Sequence, residues 1–451
     1  MPDISLPKEF CEAHTVELCR ALEGSAEVSI RLNPAKVKQT NTPPTKESDS
    51  AEWHKEYSDT VEWCKEGRYL DHRPTFTLDP IHAAGGYYVQ EASSMAVGSI
   101  VERILKDYEL PTAESLLAVD LCAAPGGKST HLSSVVGSNG IVVANEVIRT
   151  RAGILAQNVV RWGEGNTIVT SADSSVLATA LKGKVDILVV DAPCSGEGMF
   201  RKDHSARAEW SMENVELCAA RQRRIIGEGS TMLKPGGYMI YSTCTFNTLE
   251  NDDNVEWMTE SGDFEFVASL TESLGNGGER GSHFFPSEIR GEGLFVAALR
   301  YIGDNTPQKR IKENRKANKQ LSQYSTLPMH EVEFGDKLYG YPPYMSETVE
   351  QLRSKKVHIL MAGIEFGEVI RGALKPSHNF ALYSYAADTF KKVEVSLETA
   401  REYLRKGTLN PVDFTEGLQL VTYKGLPLGF AKRIGGRVNN MYPTTWRIVN
   451  L

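Results

Sequence analysis

Residues 119–132 read VDLCAAPGGKSTHL. An apolar run ends at Asp120 to Cys122, two glycines follow at Gly126 and Gly127, and a helix is expected to start near Lys128. Glycine has no Cβ, so the pair permits a tight turn and a close approach of backbone to a ligand. Apolar run, Gly-rich turn and helix make a nucleotide-binding βα unit. The GxGxxG string that cradles a pyrophosphate is missing, however. Glu146 closes the next apolar run, about 20 residues on, at the spacing where an acidic side chain accepts hydrogen bonds from a ribose diol.

Working outward, the runs SLLAVDLC (115–122), GIVVANE (140–146), NTIVTSAD (166–173), VDILVVDAPC (185–194) and GYMIYSTC (237–244) alternate with helical stretches. Short β-branched runs separated by helices predict a parallel sheet covered on both faces. Ligands of such sheets bind beyond the carboxyl ends of the strands. The Gly-rich turn, Glu146, Asp173 and Asp191 would then converge on one cleft. A ligand with a ribose and an adenine but no required phosphate fits S-adenosylmethionine better than a nicotinamide dinucleotide. The expected fold class is therefore α/β, a Rossmann-like S-adenosylmethionine-dependent methyltransferase core. An N-terminal α/β accessory domain and a C-terminal β-rich domain would flank it.

Cys194 and Cys244 each follow the carboxyl end of a predicted strand, in DAPCSGEGMFRKD (191–203) and YSTCTFNTLEND (241–252). Both sit among Pro, Gly, Ser and Thr rather than in an amphipathic stripe, so both should open into the cleft. A thiolate beside a methyl donor has a well-defined use on a pyrimidine. Adding it at carbon 6 turns the ring into an enamine that is nucleophilic at carbon 5. A hydrogen bond at nitrogen 3 assists the addition, and a base must later remove the carbon-5 proton.

These strings closely resemble the NOL1/NOP2/Sun family of RNA cytosine-C5 methyltransferases. DLCAAPGGKS (120–129) is similar to the family's cofactor loop, DAPCSGEG (191–198) to its first cysteine motif and YSTCT (241–245) to its second. GGYYVQEASSM (85–95) and RAGILAQNVVRWG (151–163) extend the match. The resemblance implies that Cys244 is the nucleophile and Cys194 the cysteine that assists release. Asp191 would contact cofactor and target base, and Lys128 would have a positioning role. Cys122, Ala123, Ala124, Pro125, Gly126, Gly127, Lys128, Glu146, Asp173 and Asp191 would hold S-adenosylmethionine. SIRLNPAKV (29–37) is a loose version of the family's R.N.LK segment and implies RNA contacts there. GEGMFRKD (196–203) and the extension containing GIEFGEVIRGALKPSHNFAL (363–382) and GLPLGFAKRIGGRVNNMYP (425–443) resemble a bacterial 16S rRNA subgroup with a PUA-like RNA-binding tail.

The formal charge of −8 argues against a polyanionic partner only as a total. Residues 301–451 carry 22 basic and 15 acidic side chains, so that end is basic, and a polyanion feels the local field. Arg371, Lys375, Lys432, Arg433 and Arg437 lie among Phe366, Phe380, Phe430 and Tyr442, a mixture that suits phosphate attraction and base stacking. Lys128, Arg201 and Lys202 would supply positive charge around the cleft. The expected division is 1–85 as an N-terminal RNA-binding region, 86–303 as the catalytic domain, 304–330 as a basic linker and 331–451 as the PUA-like domain. FALYSYA (380–386) and TWRIVNL (445–451) read as strands of that last unit, and QTNTPPTKESDS (39–50) as a loop. The start MPDISLPKEF has neither a basic nor an apolar leader region, and the seven cysteines include no CxxC pair. The expectation is a cytoplasmic monomer acting on 16S rRNA or the small ribosomal subunit, with no metal and no membrane. The same chemistry on tRNA and a non-catalytic ribosome-assembly role are the alternatives.

Overall fold

The five apolar runs form the strands Leu116–Asp120, Gly140–Asn145, Thr167–Thr170, Val185–Asp191 and Leu233–Thr243 in a computed structural model. The structure describes residues 5–40, 57, 59–107, 110, 115–307 and 320–449. The five strands are mutually parallel, and Leu116–Asp120 lies between Gly140–Asn145 and Val185–Asp191. Strand order reverses on either side of Leu116–Asp120, which makes its carboxyl end the switch point where a ligand crevice opens. Alternate side chains enter two separate cores, as the period-2 geometry of a strand requires. Leu117, Val119 and Leu121 pack with Leu177, Leu181 and Ile226 on one face. Ala118, Val142 and Ala144 pack with Ile100, Leu132 and Leu155 on the other. Leu294–Tyr301 extends the sheet antiparallel to Leu233–Thr243.

The N-terminal residues form a four-stranded sheet in the order Thr60–Val61, Cys64–Leu70, Val28–Leu32, Tyr87–Val89. The SIRLNPAKV segment within it is a buried hub rather than an RNA-facing surface. Arg31 is fully buried and donates to Gln90 Oε1 at 2.7 Å, Thr130 Oγ1 at 2.7 Å and the Gly127 carbonyl at 3.2 Å. Its guanidinium also lies 4.3 Å from the Trp162 ring centroid. Asn33 Nδ2 donates to the carbonyls of Gly85 and Trp162, and Lys36 Nζ to that of Leu382. These bonds join the N-terminal sheet to the catalytic helices and to the C-terminal region, inside the protein; of the Arg31 nitrogens, Nη1 is buried with no partner among the described residues.

Residues 331–451 carry two sheets that share a core of Leu338, Ile364, Phe366, Phe380 and Phe430. His330–Phe334, Lys337–Tyr341, Ile364–Ile370 and Ala373–Pro376 form one sheet, and Lys391–Glu394, Gly417–Tyr423, Leu426–Ile434 and Arg437–Asn440 another. Ile359–Ala362 leaves both and pairs antiparallel with Thr167–Thr170 at the edge of the catalytic sheet. The helix Ser346–Ser354 places Val349 and Leu352 in the same core as Leu177 and Leu181. Gly363, at φ +66°, turns the chain from one sheet to the next. FALYSYA is not a strand: Ser377 caps a short helix, His378–Leu382, its Oγ accepting from Phe380 N at 3.1 Å. TWRIVNL contributes a single turn at Thr444–Trp446 instead of a strand, because Trp446 N closes back on the Pro443 carbonyl. Most of the basic stretch 306–320 and of the loop 39–50 lies outside the described residues.

Candidate active site

The Gly-rich turn is fastened on three sides. Leu121 N donates to the Val189 carbonyl at 3.0 Å and Ala123 N to the Asn145 carbonyl at 2.8 Å. From the helix Arg149–Trp162, Arg151 Nη2 reaches the Ala124 carbonyl and Asn158 Nδ2 the Pro125 carbonyl. Gly126 stands at φ +116°, where a side chain would be strained. The space beside Gly127 is taken by Tyr88 and Gln90, 3.3–3.5 Å from where a Cβ would stand. The second glycine therefore serves packing against the N-terminal sheet. Asp120 is fully buried, and its Oδ2 accepts from Ser129 Oγ at 2.6 Å. Its Oδ1 has no partner, and burial pushes the carboxyl up to about 7. Burial also pushes the Cys122 thiol up.

Glu146 and Asp173 stand past the carboxyl ends of the next two strands, as the sequence predicts. Glu146 Oε1 accepts from Ile148 N at 2.9 Å, and Oε2 is 3.4 Å from Arg151 Nη1. Asp173 caps the helix Ser174–Leu181: Oδ1 accepts from Ser175 N and Ser175 Oγ, which lower its pKa.

The strands Val185–Asp191 and Leu233–Thr243 are neighbours, with Asp191 opposite Ser242. The two loops that follow them bring Cys194 Sγ to 3.3 Å from Cys244 Sγ. The hydrogen bond to Cys244, together with burial, holds the Cys194 thiol well above its usual range. Cys194 thus keeps its proton and can share it with the Cys244 sulfur. Beside them Lys128 Nζ lies 2.8 Å from Asp191 Oδ2, while Asp191 Oδ1 accepts from Ser242 Oγ at 2.8 Å. Burial alone would lower Lys128, but Asp191, Asp120 and the Cys244 sulfur outweigh it and raise the ammonium.

Two buried carboxylates that the sequence reading passed over brace the cysteine loops. Glu197 accepts from Trp210 Nε1 at 3.0 Å, Phe246 N at 2.6 Å and Asn247 N at 3.1 Å. Glu250 accepts from Ser195 N at 3.0 Å, Gln222 Nε2 at 2.7 Å and Asn247 Nδ2 at 2.8 Å. Each ties the loop holding Cys194 to the loop holding Cys244. Gly198 N adds a bond to the Cys244 carbonyl at 2.8 Å, and a Cβ at Gly198 would stand 2.8 Å from that oxygen. An acidic residue a few positions past Cys244, in the polar turn NTLEND, was the available signal.

The expected stacking aromatics are core residues. Phe366, Phe380, Phe430 and Tyr442 are each at most 4% exposed. Of the basic residues among them, Lys375 pairs with Glu368 at 2.9 Å and Arg433 donates to the Gly435 and Phe414 carbonyls. Arg201, expected at the cleft, is instead held by Glu292 at 2.9 Å; Lys202 is exposed. Among the described residues no His, Cys, Asp or Glu cluster could hold a metal ion, and no helix is long and apolar enough to cross a membrane.

Three family descriptions match this chain in order. They are the N-terminal domain of 16S rRNA methyltransferase RsmF at 6–92, 16S rRNA methyltransferase RsmB/F at 108–300 and the methyltransferase RsmF PUA domain at 390–448. Ribosomal RNA small subunit methyltransferase F of Aliivibrio salmonicida is 31% identical over 442 residues, covering 92% of this chain and 90% of the relative. That of Erwinia tasmaniensis is 30% identical over 414 residues, covering 85% and 84%. Among solved structures, a methyltransferase homolog from Pyrococcus horikoshii is 25% identical with a TM-score of 0.50, covering 63% of this chain and 90% of that one. NSun6 from the same organism shares the fold at 20% identity and a TM-score of 0.53, covering 67% and 100%.

Proposed function

Because this chain belongs to the family of ribosomal RNA small subunit methyltransferase F, we propose that it methylates carbon 5 of a cytosine in 16S rRNA, using S-adenosylmethionine and a covalent bond from Cys244 to carbon 6. The observation that carries this reading is the pair of thiols 3.3 Å apart beside the Lys128–Asp191 ion pair. Methylation of an exocyclic amine or a ribose hydroxyl has no use for two thiols in one cleft.

The residues present suit the cofactor. Glu146 and Asp173 offer carboxylate oxygens at the ends of successive strands, for ribose hydroxyls and an amine. The partnerless Asp120 Oδ1 adds a buried acceptor beneath the turn 122–128. When bound, S-adenosylmethionine supplies an electrophilic methyl group. The protein does the rest. Cys244, as thiolate, adds to carbon 6, and the Lys128–Asp191 pair supplies the hydrogen bond at nitrogen 3 that draws charge out of the ring. Carbon 5 thereby becomes nucleophilic. Once Cys244 is bonded to carbon 6 it no longer accepts from Cys194, so the main cause that raises the Cys194 thiol is gone. After methylation Cys194, having released its proton to solvent, takes the carbon-5 proton, and the bond from Cys244 to carbon 6 breaks, its electrons returning to sulfur, to restore the aromatic ring. The target base must leave its stack to reach these sulfurs. The regions 1–85 and 331–451 are assigned to gripping the surrounding RNA.

Cys194→Ala should accumulate a protein–RNA adduct that survives denaturation, and Cys244→Ala should form none and transfer no methyl group. Mapping 5-methylcytosine in 16S rRNA and tRNA, with and without the protein in cells, assigns the substrate. Methyl transfer by Cys244→Ala would sink the nucleophile assignment. Loss of a mark from tRNA alone would redirect the proposal to that RNA.

A further inference from the structure

A cavity of about 360 Å³ opens where three regions of the chain meet. The N-terminal region contributes His82, the helix Arg149–Trp162 contributes Arg161, and the C-terminal region contributes Tyr442, Trp446 and Arg447. It is remote in sequence from both cysteine loops, and the proposed chemistry does not use it.

Its walls combine two arginines and aromatic rings with the aliphatic Ala83, Leu404, Ile448 and Val449. The Arg161 guanidinium lies 5.3 Å from the Trp446 ring centroid. Its Nη1 donates to Asn158 Oδ1 at 2.8 Å, and its Nε is buried with no partner. The groups that act on its charge are the phenols of Tyr88 and Tyr442, with no carboxylate among them. His82 and His378 flank the cavity walls, and burial, helped by Arg161, lowers each to about 3. Both rings are therefore neutral at ordinary pH. His378 meets Trp446 and Tyr442 edge to face, at 4.8 and 5.1 Å, which fixes those two rings. Along the seam beyond it the charge is mixed: Arg401 Nε donates to the Leu78 carbonyl, beside Glu398 and Glu402.

An arginine on the cavity wall that pairs with no carboxylate among the described residues calls for an anionic oxygen from outside, and phosphate matches its fork. Aromatic walls in the same cavity call for a planar ring. The volume falls at the low end of the range for small-ligand sites, enough for one nucleotide and not for a duplex. We propose that this three-way junction is a nucleotide subsite, which takes one unpaired residue of the RNA at a distance from the target cytosine. Arg161 and Arg447 hold its phosphate, and Trp446, whose ring, unlike that of Tyr442, is not buried in the core, stacks on its base. The subsite would also make the relative placement of the three regions depend on RNA, because all three touch the nucleotide. The inference rests on RNA being the substrate and is independent of which atom is methylated.

The test uses the full chain without cofactor and a short fluorescein-labelled single-stranded RNA. Trp446→Ala should weaken binding about tenfold, as loss of one stacked base does, and Trp446→Phe should restore most of it. Arg447→Gln, at an exposed position, should leave the melting temperature unchanged and make the log Kd against log salt slope shallower by about one. RNA carrying 4-thiouridine should cross-link to Trp446. Unchanged affinity and salt slope in both variants, or cross-links confined to the cysteine cleft, would overturn the subsite. Because binding and cross-linking need no methyl transfer, failure of the cytosine-C5 reading leaves a different signature: intact binding effects with no adduct from Cys194→Ala.

Discussion

Glu250→Ala removes a carboxylate that touches no reacting atom, so its effect measures what loop placement is worth. Three donors converge on that group: Ser195 N, Gln222 Nε2 and Asn247 Nδ2. Two of them keep a second acceptor after truncation. Gln222 Nε2 still reaches the Pro193 carbonyl at 3.1 Å, and Asn247 Nδ2 still reaches Glu197 Oε1 and Thr245 Oγ1 at 3.0 Å each. Ser195 N is left without its carboxylate, which costs about 1–3 kcal/mol inside the protein. The loop can recover that energy only by moving Ser195, and Cys194 is its chain neighbour. A displacement near 1 Å costs about a hundredfold in rate. Glu250→Ala should therefore lower kcat by roughly 10–100-fold while leaving cofactor affinity unchanged. Glu250→Gln keeps an acceptor for Ser195 and should recover part of the loss. Single-turnover transfer of a labelled methyl group, run beside a gel assay for the covalent adduct, separates addition from release. Release should slow more than addition, because the brace holds Cys194 most directly. A folded Glu250→Ala protein with wild-type kcat and no excess adduct would refute the reasoning.

Asp120 gives a pH prediction. Burial raises its carboxyl from the ordinary aspartate value to about 7, so the folded state holds a proton that the unfolded chain has released. Its stabilising contribution is full below the ordinary aspartate range and is lost as pH rises to about 7. Urea midpoints of the cofactor-free protein should show a flatter pH dependence across that window for Asp120→Asn than for wild type; parallel curves would contradict the assignment. Arg31→Met should destabilise the protein by about 3 kcal/mol or more, since it strips the buried acceptors Gln90 Oε1 and Thr130 Oγ1 of their donor. The salt dependence of RNA binding should not change, and a shallower slope would return that residue to the RNA surface.

The catalytic sheet is legible in the sequence because its strands are buried on both faces. Such strands read as continuous β-branched runs whatever surrounds them. The convergence of the turn at 122–128, Glu146, Asp173, Cys194 and Cys244 follows from the parallel order alone. Their spacing in space does not: nothing in DAPCSGEG or YSTCT states that the two sulfurs meet at 3.3 Å. Glu197 and Glu250 were missed because a buried carboxylate satisfied by neutral donors looks, in sequence, like any surface acid. The C-terminal aromatics misled for a related reason. Alternation of Ile364 with Phe366, both buried, is the period of a core strand, and the basic Arg371 and Lys375 that follow it in the chain mimic an RNA platform. The run HILMAGIEFGEVI reads as one strand, and only Gly363 hints that it serves two sheets.

The strand Ile359–Ala362 has a temporal consequence. Thr167–Thr170 forms the edge of the parallel sheet until its partner arrives roughly 190 residues later in the chain. At ordinary synthesis rates that gap is about 10–40 s, during which an apolar strand edge stands open to wrong pairing. The enzyme therefore finishes its catalytic domain only after nearly the whole polypeptide has left the ribosome. A nascent chain truncated by premature termination would be a client for chaperones or proteolysis rather than a methyltransferase missing its tail.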